Sequence, residues 1–318
     1  MDTDITIKRS NNETQHKLAL VIPYYKIDFF EKTIQSVASQ SNRDFALYIG
    51  NDASPDDPLP VIEKYFSPED YQYFNYTDNL GGKNLALQWE RILDHVKEDW
   101  FQILGDDDMI AENFVEEFYK AVPESETNNI SVLKFVYDWI DENDQDMETF
   151  DYRVKHLNPI DFTIQKYRGL VRSSLSENIF RTKMYHKHRF EKIPLAWGSD
   201  DLALLAFSGY RDILYIRSSK VKVRISNNSI SGTETMDGQK SYAYNIFREK
   251  LITRHSKHFP DLFMEQVITD YLSYCHMNKH QANYGVALYY LKHFHIKSFL
   301  KNIKKIYYIN KIYTTTLR

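Results

Sequence analysis

Trp100-Phe101-Gln102-Ile103-Leu104, then Gly105-Asp106-Asp107-Asp108, then Met109-Ile110: the fold of this chain is read from that passage. The first five residues have the character of a short, largely buried strand, and apolar character resumes directly after the acids. Three consecutive carboxylates repel one another and add nothing to a core, so a fold that sets them at a strand's end needs a compensating cation. Asp residues two apart on an extended backbone project to one side and offer hard oxygen ligands. Such ligands suit Mg²⁺ or Mn²⁺ that already carries a diphosphate, because those ions seldom sit in all-protein cages. A solvated acidic turn is the plain alternative, and the neighbouring sequence has to decide.

On either side of this passage strand and helix signals alternate. Residues 18–22 are an apolar run closed by Pro23, and residues 29–40 carry Phe30, Ile34 and Val37 at helical spacing. A second strand over 45–49 is closed by the turn formers Asn51-Asp52-Ala53-Ser54-Pro55, followed by a helix over 61–66 and a third strand over 71–76. Asn79-Leu80-Gly81-Gly82 is a turn, and a helix over 84–96 places Leu85, Ile92 and Val96 on one stripe. Residues 113–122 read as a helix and 130–137 as a fifth strand. This alternation predicts an α/β fold with a mainly parallel sheet and flanking helices. Ligands of such sheets bind beyond the carboxyl ends of the strands, so the loops after Ile22, Ile49, Tyr76 and Leu104 should converge on one site.

The remainder is less regular up to about residue 238 and wholly helical after it. Residues 138–151 read as an acidic loop, 176–190 as a strand with a short helix, 200–207 as a helix, and 213–217 and 220–225 as strands. Helices are expected over 241–257, 262–278, 281–294 and 296–308. The domain reading is a polar leader over 1–16, a catalytic domain over 17–235 and a basic helical region over 236–318. Cys275 is the one cysteine, and the first residues lack the apolar core of a signal peptide, so a reducing, cytoplasmic setting is expected. From Tyr271 to Arg318 there is no Asp or Glu, against Lys279, Lys292, Lys297, Lys301, Lys304, Lys305, Lys311 and Arg318. That imbalance points to an anionic partner, with a phospholipid surface at the inner face of the cell membrane ahead of nucleic acid; packing of the last helix on the catalytic domain or on a second subunit is the alternative.

In order along the chain, Val21-Ile22-Pro23-Tyr24-Tyr25, Ser36-Val37-Ala38-Ser39-Gln40, Asn51-Asp52-Ala53-Ser54-Pro55-Asp56, Asn79-Leu80-Gly81-Gly82-Lys83-Asn84, Gly105-Asp106-Asp107-Asp108 and Gly198-Ser199-Asp200-Asp201 resemble the motifs of the family 2 glycosyltransferases, over roughly residues 17–235. The resemblance implies a GT-A fold, a nucleotide-sugar donor, a Mn²⁺ or Mg²⁺ ion and inversion at the sugar carbon. A uracil N3–H can be recognised by an acid or amide at a strand end. Asp52 fills that place in the family pattern, with Asn51 where another acid usually stands. Pro23, Tyr24 and Tyr25 would line the nucleoside wall. Asn79 and Lys83 flank the Gly-Gly turn, where backbone can approach a ligand and Lys83 can meet a phosphate.

For the acidic turn the family pattern leaves two registers open, Asp107 with Asp106 or the pair Asp106 and Asp108. The reading adopted gives Asp106 to the ribose or sugar and also to the metal, Asp108 to the metal, and Asp107 to the donor beside them. The resemblance makes Asp201 the base that takes the acceptor's proton, with Asp200 second; acids in a helix's first turn are also favoured by its dipole. Trp197 and Gly198 would meet the acceptor or sugar, and Arg224 the diphosphate. Ser226 stands where many relatives carry a metal-binding His. The expected acceptor is a saccharide or lipid-linked saccharide in surface polysaccharide or glycolipid synthesis. A sugar nucleotidyltransferase would need a Gly-rich basic loop after the first strand, which Pro23-Tyr24-Tyr25-Lys26 does not supply. A non-catalytic lipid- or partner-binding module would need the basic tail but neither acidic motif.

Overall fold

The computed structural model describes residues 6–8, 16–226, 229, 232, 233 and 235–316. It divides into two compact units, Met1–Asp237 and Gly238–Arg318. The first unit runs β1 (Thr6–Lys8), β2 (Leu18–Tyr24), α1 (Phe30–Ala38), β3 (Ala46–Asp52), α2 (Leu59–Ile62), β4 (Tyr71–Tyr76), α3 (Gly81–Leu93) and β5 (Trp100–Ile103). It continues with β6 (Met109–Ile110), α4 (Phe114–Thr127), β7 (Val132–Ile140), β8 (Asp146–Phe150), β9 (His156–Leu157), α5 (Pro159–Tyr167), β10 (Asn178–Arg181), α6 (Thr182–His188), α7 (Ser199–Ser208) and β11 (Ile213–Arg224). Thr6–Lys8, inside the expected leader, pair antiparallel with β4 at the sheet edge. The rest of that leader, apart from His16, lies outside the described residues.

All of these strands join one sheet, ordered β1-β4-β3-β2-β5-β10-β7-β11-β6, with β8 added to β7 and β9 to β11. The β4-β3-β2-β5 half is parallel. Beyond it β10 runs antiparallel between β5 and β7, while β7 and β11 are parallel. Strand alternation splits the core in two. Leu18, Leu20, Ile22, Leu47 and Ile49 meet Phe30, Ile34 and Val37 of α1 and Phe114 and Phe118 of α4. Ala19, Val21, Tyr48, Phe101 and Ile103 meet Ala86, Trp89 and Ile92 of α3, Tyr185 of α6 and Leu204 and Phe207 of α7. Strands so completely buried read as continuous apolar runs, which is why 18–22 and 100–104 were legible.

The acidic stretch over 138–151 is not a loop. It is the end of β7, a turn and β8, and its acids find their cations on β11. Asp138 is buried and accepts from Lys220 at 2.8 Å and from the Thr149 hydroxyl at 2.6 Å. Asp146 pairs with Lys222 at 2.9 Å, Asp144 with Arg224 at 2.6 Å and Asp151 with Arg217 at 2.7 Å. The strand β7 beyond Tyr137 exists because β11 neutralises it.

The second unit contains α8 (Asp237–Lys250), α9 (Asp261–Met277), α10 (Leu288–Lys292) and α11 (Ile296–Thr316). Its interior holds Phe247, Leu251, Phe263, Met264, Val267, Tyr271, Cys275 and Ile306. Asn310 fixes α11 by accepting the Ala282 N–H at 2.7 Å and donating to its carbonyl at 3.0 Å. Among the described residues no helix is long and apolar enough to cross a membrane.

Candidate active site

The acidic turn after β5 is built into three neighbouring elements. Asp106 Oδ2 accepts the N–H groups of Tyr25 at 2.7 Å and Lys26 at 2.8 Å, fixing the loop that leaves β2. Asp108 is buried; its Oδ2 accepts from Ser176 Oγ at 2.5 Å and its Oδ1 from the Arg224 N–H at 2.8 Å. The Gly105 N–H donates to the same Ser176 hydroxyl at 3.1 Å. Burial, followed by repulsion from Asp107, pushes Asp106 up to about 7. Burial and Asp108 push Asp107 up to about 7, and burial lifts Asp108 to about 6, with Glu177 adding repulsion. The turn therefore concentrates negative charge that a cation would relieve.

Among the described residues no three His, Cys, Asp or Glu side chains form a metal-holding group. The carboxylates of the one turn are hard oxygen donors, the chemistry that a divalent ion already carrying a diphosphate takes.

The Asn51-Asp52 pair divides between the two faces of the sheet. Asp52 accepts the N–H groups of Leu80 at 2.9 Å and Gly81 at 2.8 Å and is clasped by Arg91. The Arg91 guanidinium lies 3.6 Å from the Tyr76 ring centroid. A Cβ on Gly81 would stand 2.5 Å from Asp52 Oδ2, so glycine is what lets the loop close on the carboxylate. Burial nevertheless pushes the Asp52 carboxyl up. Asn51 donates to Tyr73 at 3.1 Å and Asn75 at 2.9 Å and accepts the Ser54 N–H at 2.9 Å, so its amide is committed to the fold. A recess of about 310 Å³ lies beside it, lined by Asp56, Asp57, Tyr73 and Asn75.

Asp200 and Asp201 sit in the first turn of α7, after Gly198, whose φ of +95° turns the chain into the helix. Lys166 of α5 donates to Asp201 Oδ1 at 2.5 Å and to the Ser173 carbonyl at 3.1 Å. Burial, then repulsion from Asp201, pushes Asp200 up to about 7, although Lys166 opposes it. Burial favours a neutral Lys166, but Asp201 and Asp200 outweigh it and raise the ammonium's pKa. Behind them lies a fully buried ion pair, Lys134–Glu177 at 2.6 Å, with Ser173, Ser174 and Asn178 as further partners. Lys134 overcomes the burial of Glu177 and holds its carboxyl low. The short segment 173–178 therefore meets one acidic motif directly and the other through a lysine: Ser176 donates to Asp108, Ser173 accepts from Lys166, and Glu177 repels Asp108 and Asp200 alike.

The other expected residues fall unevenly around this arrangement. Tyr25 is half-exposed and Lys83 exposed, Asn79 accepts the Gly82 N–H, and Trp197 is half-buried. Asn84 breaks the helical geometry of α3 and donates to the Ile193 carbonyl at 3.4 Å, linking the Gly-Gly turn to the loop before α7. Tyr24 is fully buried, its ring 4.5 Å from that of Phe30 and its hydroxyl donating to Asp56 O. Arg224 is 2% exposed, and its guanidinium meets the Asp107 and Asp141 carbonyls, Asp144 and the Phe29 ring. Ser226 is buried in a turn with Ser229, and Asn227 and Asn228 of that segment lie outside the described residues. Sequence reasoning missed Lys134, Lys166, Ser173, Ser176 and Glu177. The visible signal was Lys134, a lysine inside an otherwise apolar strand run.

Solved structures share this fold at low identity. Residues 1–349 of S. aureus TarS in complex with UDP-GlcNAc match at a TM-score of 0.56 and 14% identity, covering 94% of this chain and 92% of that one. The same TarS fragment without ligand matches at a TM-score of 0.58 and 12% identity, over 94% and 92% of the two chains. The longer TarS matches at a TM-score of 0.54 and 13% identity, over 93% of this chain and 55% of that one. No curated protein sequence matches. The model of the family described as "Glycosyl transferase family 2" matches residues 19–193, which span β2 to the loop before α7 and include the acidic turn. With that match over more than half its length, the chain belongs to the family 2 glycosyl transferases.

Proposed function

We propose that this glycosyltransferase moves a sugar, with inversion, from a UDP-sugar to a saccharide or lipid-linked saccharide acceptor in surface polysaccharide or glycolipid synthesis. The observation that carries the reading is segment 173–178, where Ser176 donates to Asp108 and the Ser173 carbonyl accepts from Lys166, which in turn donates to Asp201. That chain of contacts supports assigning the diphosphate to the turn and the acceptor's proton to the pair. S. aureus TarS, of the same fold, was solved with UDP-GlcNAc and with UDP.

In this reading Pro23, Tyr25, Asp52 and Asn79 receive the nucleoside, and Lys83 supplies a positive charge to the diphosphate. Asp52 has three of its lone-pair positions filled by Leu80, Gly81 and Arg91, which leaves one for a base N–H. Asp106 and Asp108 would hold Mg²⁺ or Mn²⁺, with Asp107 beside them at the donor, and the ion when bound neutralises charge developing on the leaving diphosphate. The acceptor hydroxyl oxygen forms the new bond to the anomeric carbon as the bond to the diphosphate oxygen breaks, and that electron pair leaves with the diphosphate. The hydroxyl proton passes to the Asp200–Asp201 pair, with Asp201 as base and Lys166 orienting it. Trp197 and Gly198 border the acceptor side. The work is placed at the cytoplasmic face of the membrane.

A panel of nucleotide sugars, each tested for slow donor hydrolysis and for transfer, checks the reading. One UDP-sugar hydrolysed above background, with loss in Asp201→Asn, is the expected result. Hydrolysis of none, or equal hydrolysis by the variant, would overturn it.

A further inference from the structure

The corner between α10 and α11 turns apolar side chains outward. Phe294 is 89% exposed, Ile296 60% and Leu291 46%. The corner is ordered by hydrogen bonds: the Phe294 N–H donates to the Leu291 carbonyl at 3.2 Å and the His295 N–H to the Tyr290 carbonyl at 2.8 Å. Phe294 itself has φ +60°, a conformation that a bulky residue adopts at a cost. Neither the strain nor the exposed ring helps the unit to fold.

Along α11 the same mixture continues on one side. Ile306 and Ile309 are buried and Phe299 and Ile303 half-buried, which defines the packed face. The opposite half exposes Ile296, Leu300, Tyr307, Tyr308 and Ile312, interleaved with Lys297, Lys301, Lys304, Lys305 and Lys311. The sequence from Tyr271 to Arg318 contains no Asp or Glu.

We infer that the α10–α11 corner and the exposed half of α11 dock on the surface of an anionic lipid bilayer, Leu291, Phe294 and Ile296 entering the apolar boundary while the lysines meet lipid phosphates. Lysine stems lie along apolar surface and carry their ammonium groups outward to the headgroups, and tyrosine rings favour the same interface. Attraction to anionic lipid grows with each basic residue held near the surface. A second copy of the chain fits poorly, because a two-fold contact through this face would set lysine against lysine. The inference rests on this surface alone and stands apart from the transferase reading.

Flotation of the full chain with vesicles tests it, using neutral phosphatidylcholine and phosphatidylcholine mixed with phosphatidylglycerol, at low and high salt. Expected is binding to the anionic vesicles that weakens with salt, and little to the neutral ones. Phe294→Ser with Ile296→Ser, and separately Lys301→Glu with Lys304→Glu, should each lower partitioning by about tenfold or more. Because these side chains are exposed, thermal unfolding and donor hydrolysis of both variants should match the unaltered chain, so a failed vesicle result leaves the catalytic reading untouched. Absence of binding, binding that both variants keep, tighter capture by a nucleic-acid duplex in competition, or a dimer that the lysine reversals abolish would each overturn the inference.

Discussion

Asp200 and Asp201 adjoin on one helical turn, yet their surroundings separate them. Asp201 is held by Lys166, whereas Asp200 is lifted to about 7 by burial and by its neighbour. The pair itself was legible, as two acids after a Gly-Ser helix start. Its partner was not, because Lys166 lies on another helix and no local pattern joins the two. Asp201→Asn should abolish transfer while leaving UDP affinity within about twofold, measured by steady-state kinetics and calorimetry. Lys166→Met should lower kcat by about tenfold or more with a small change in KM, since it orients the base without touching the donor. The raised Asp200 makes a further test through pH. A carboxyl raised in the fold stabilises it fully only below its unfolded value of 3.8, and that contribution is lost as pH rises through about 7. Asp200→Asn, neutral throughout, should therefore raise the unfolding temperature by a few degrees at pH 8 and leave it unchanged near pH 4.

Among the elements, β11 departs furthest from what the sequence suggested. Its bases Arg217, Lys220, Lys222 and Arg224 alternate with apolar Ile216, Val221 and Val223, and they pair with the acids of the stretch that read as a loop. Each half of that pattern is visible alone; the match between them is a register, set only when β7 and β11 lie side by side. The fully buried strands carried no such ambiguity, since an apolar run of that length has few other uses. Arg224 closes the arrangement by tying Asp107 and Asp108 to Asp141 and Asp144. Arg224→Met should cost roughly 1–3 kcal/mol in denaturant unfolding, because it leaves the Asp107 and Asp141 carbonyls without their donor while Asp144 keeps Lys32. It should also weaken donor binding indirectly, by releasing the acidic turn.

At the scale of the whole molecule, the parallel half of the sheet and the acidic turn act together. β4, β3, β2 and β5 run side by side, and the loops at their carboxyl ends are cross-tied: Asp106 to the loop after β2, and Asp52 to the loop after β4. The sequence announced that convergence through its order of strands and motifs. It could not announce segment 173–178, whose serines and Glu177 acquire meaning only once β10 lies between β5 and β7. The resulting cluster has three acids crowded at one turn and no set of three side chains arranged to hold a metal among the described residues. Cation and nucleotide should consequently bind as a unit, each supplying what the other lacks. Thermal unfolding with UDP, Mn²⁺ and both together measures this. At a hundredfold excess over Kd the pair contributes about 2.7 kcal/mol, a rise of roughly 5–10 °C for a unit of this size, against small shifts for either alone. Asp108→Asn should erase the synergy while retaining the residual effect of UDP through Asp52 and the Gly81 loop. Equal stabilisation by UDP with and without the ion would show that the acids of this turn serve the fold and not the diphosphate.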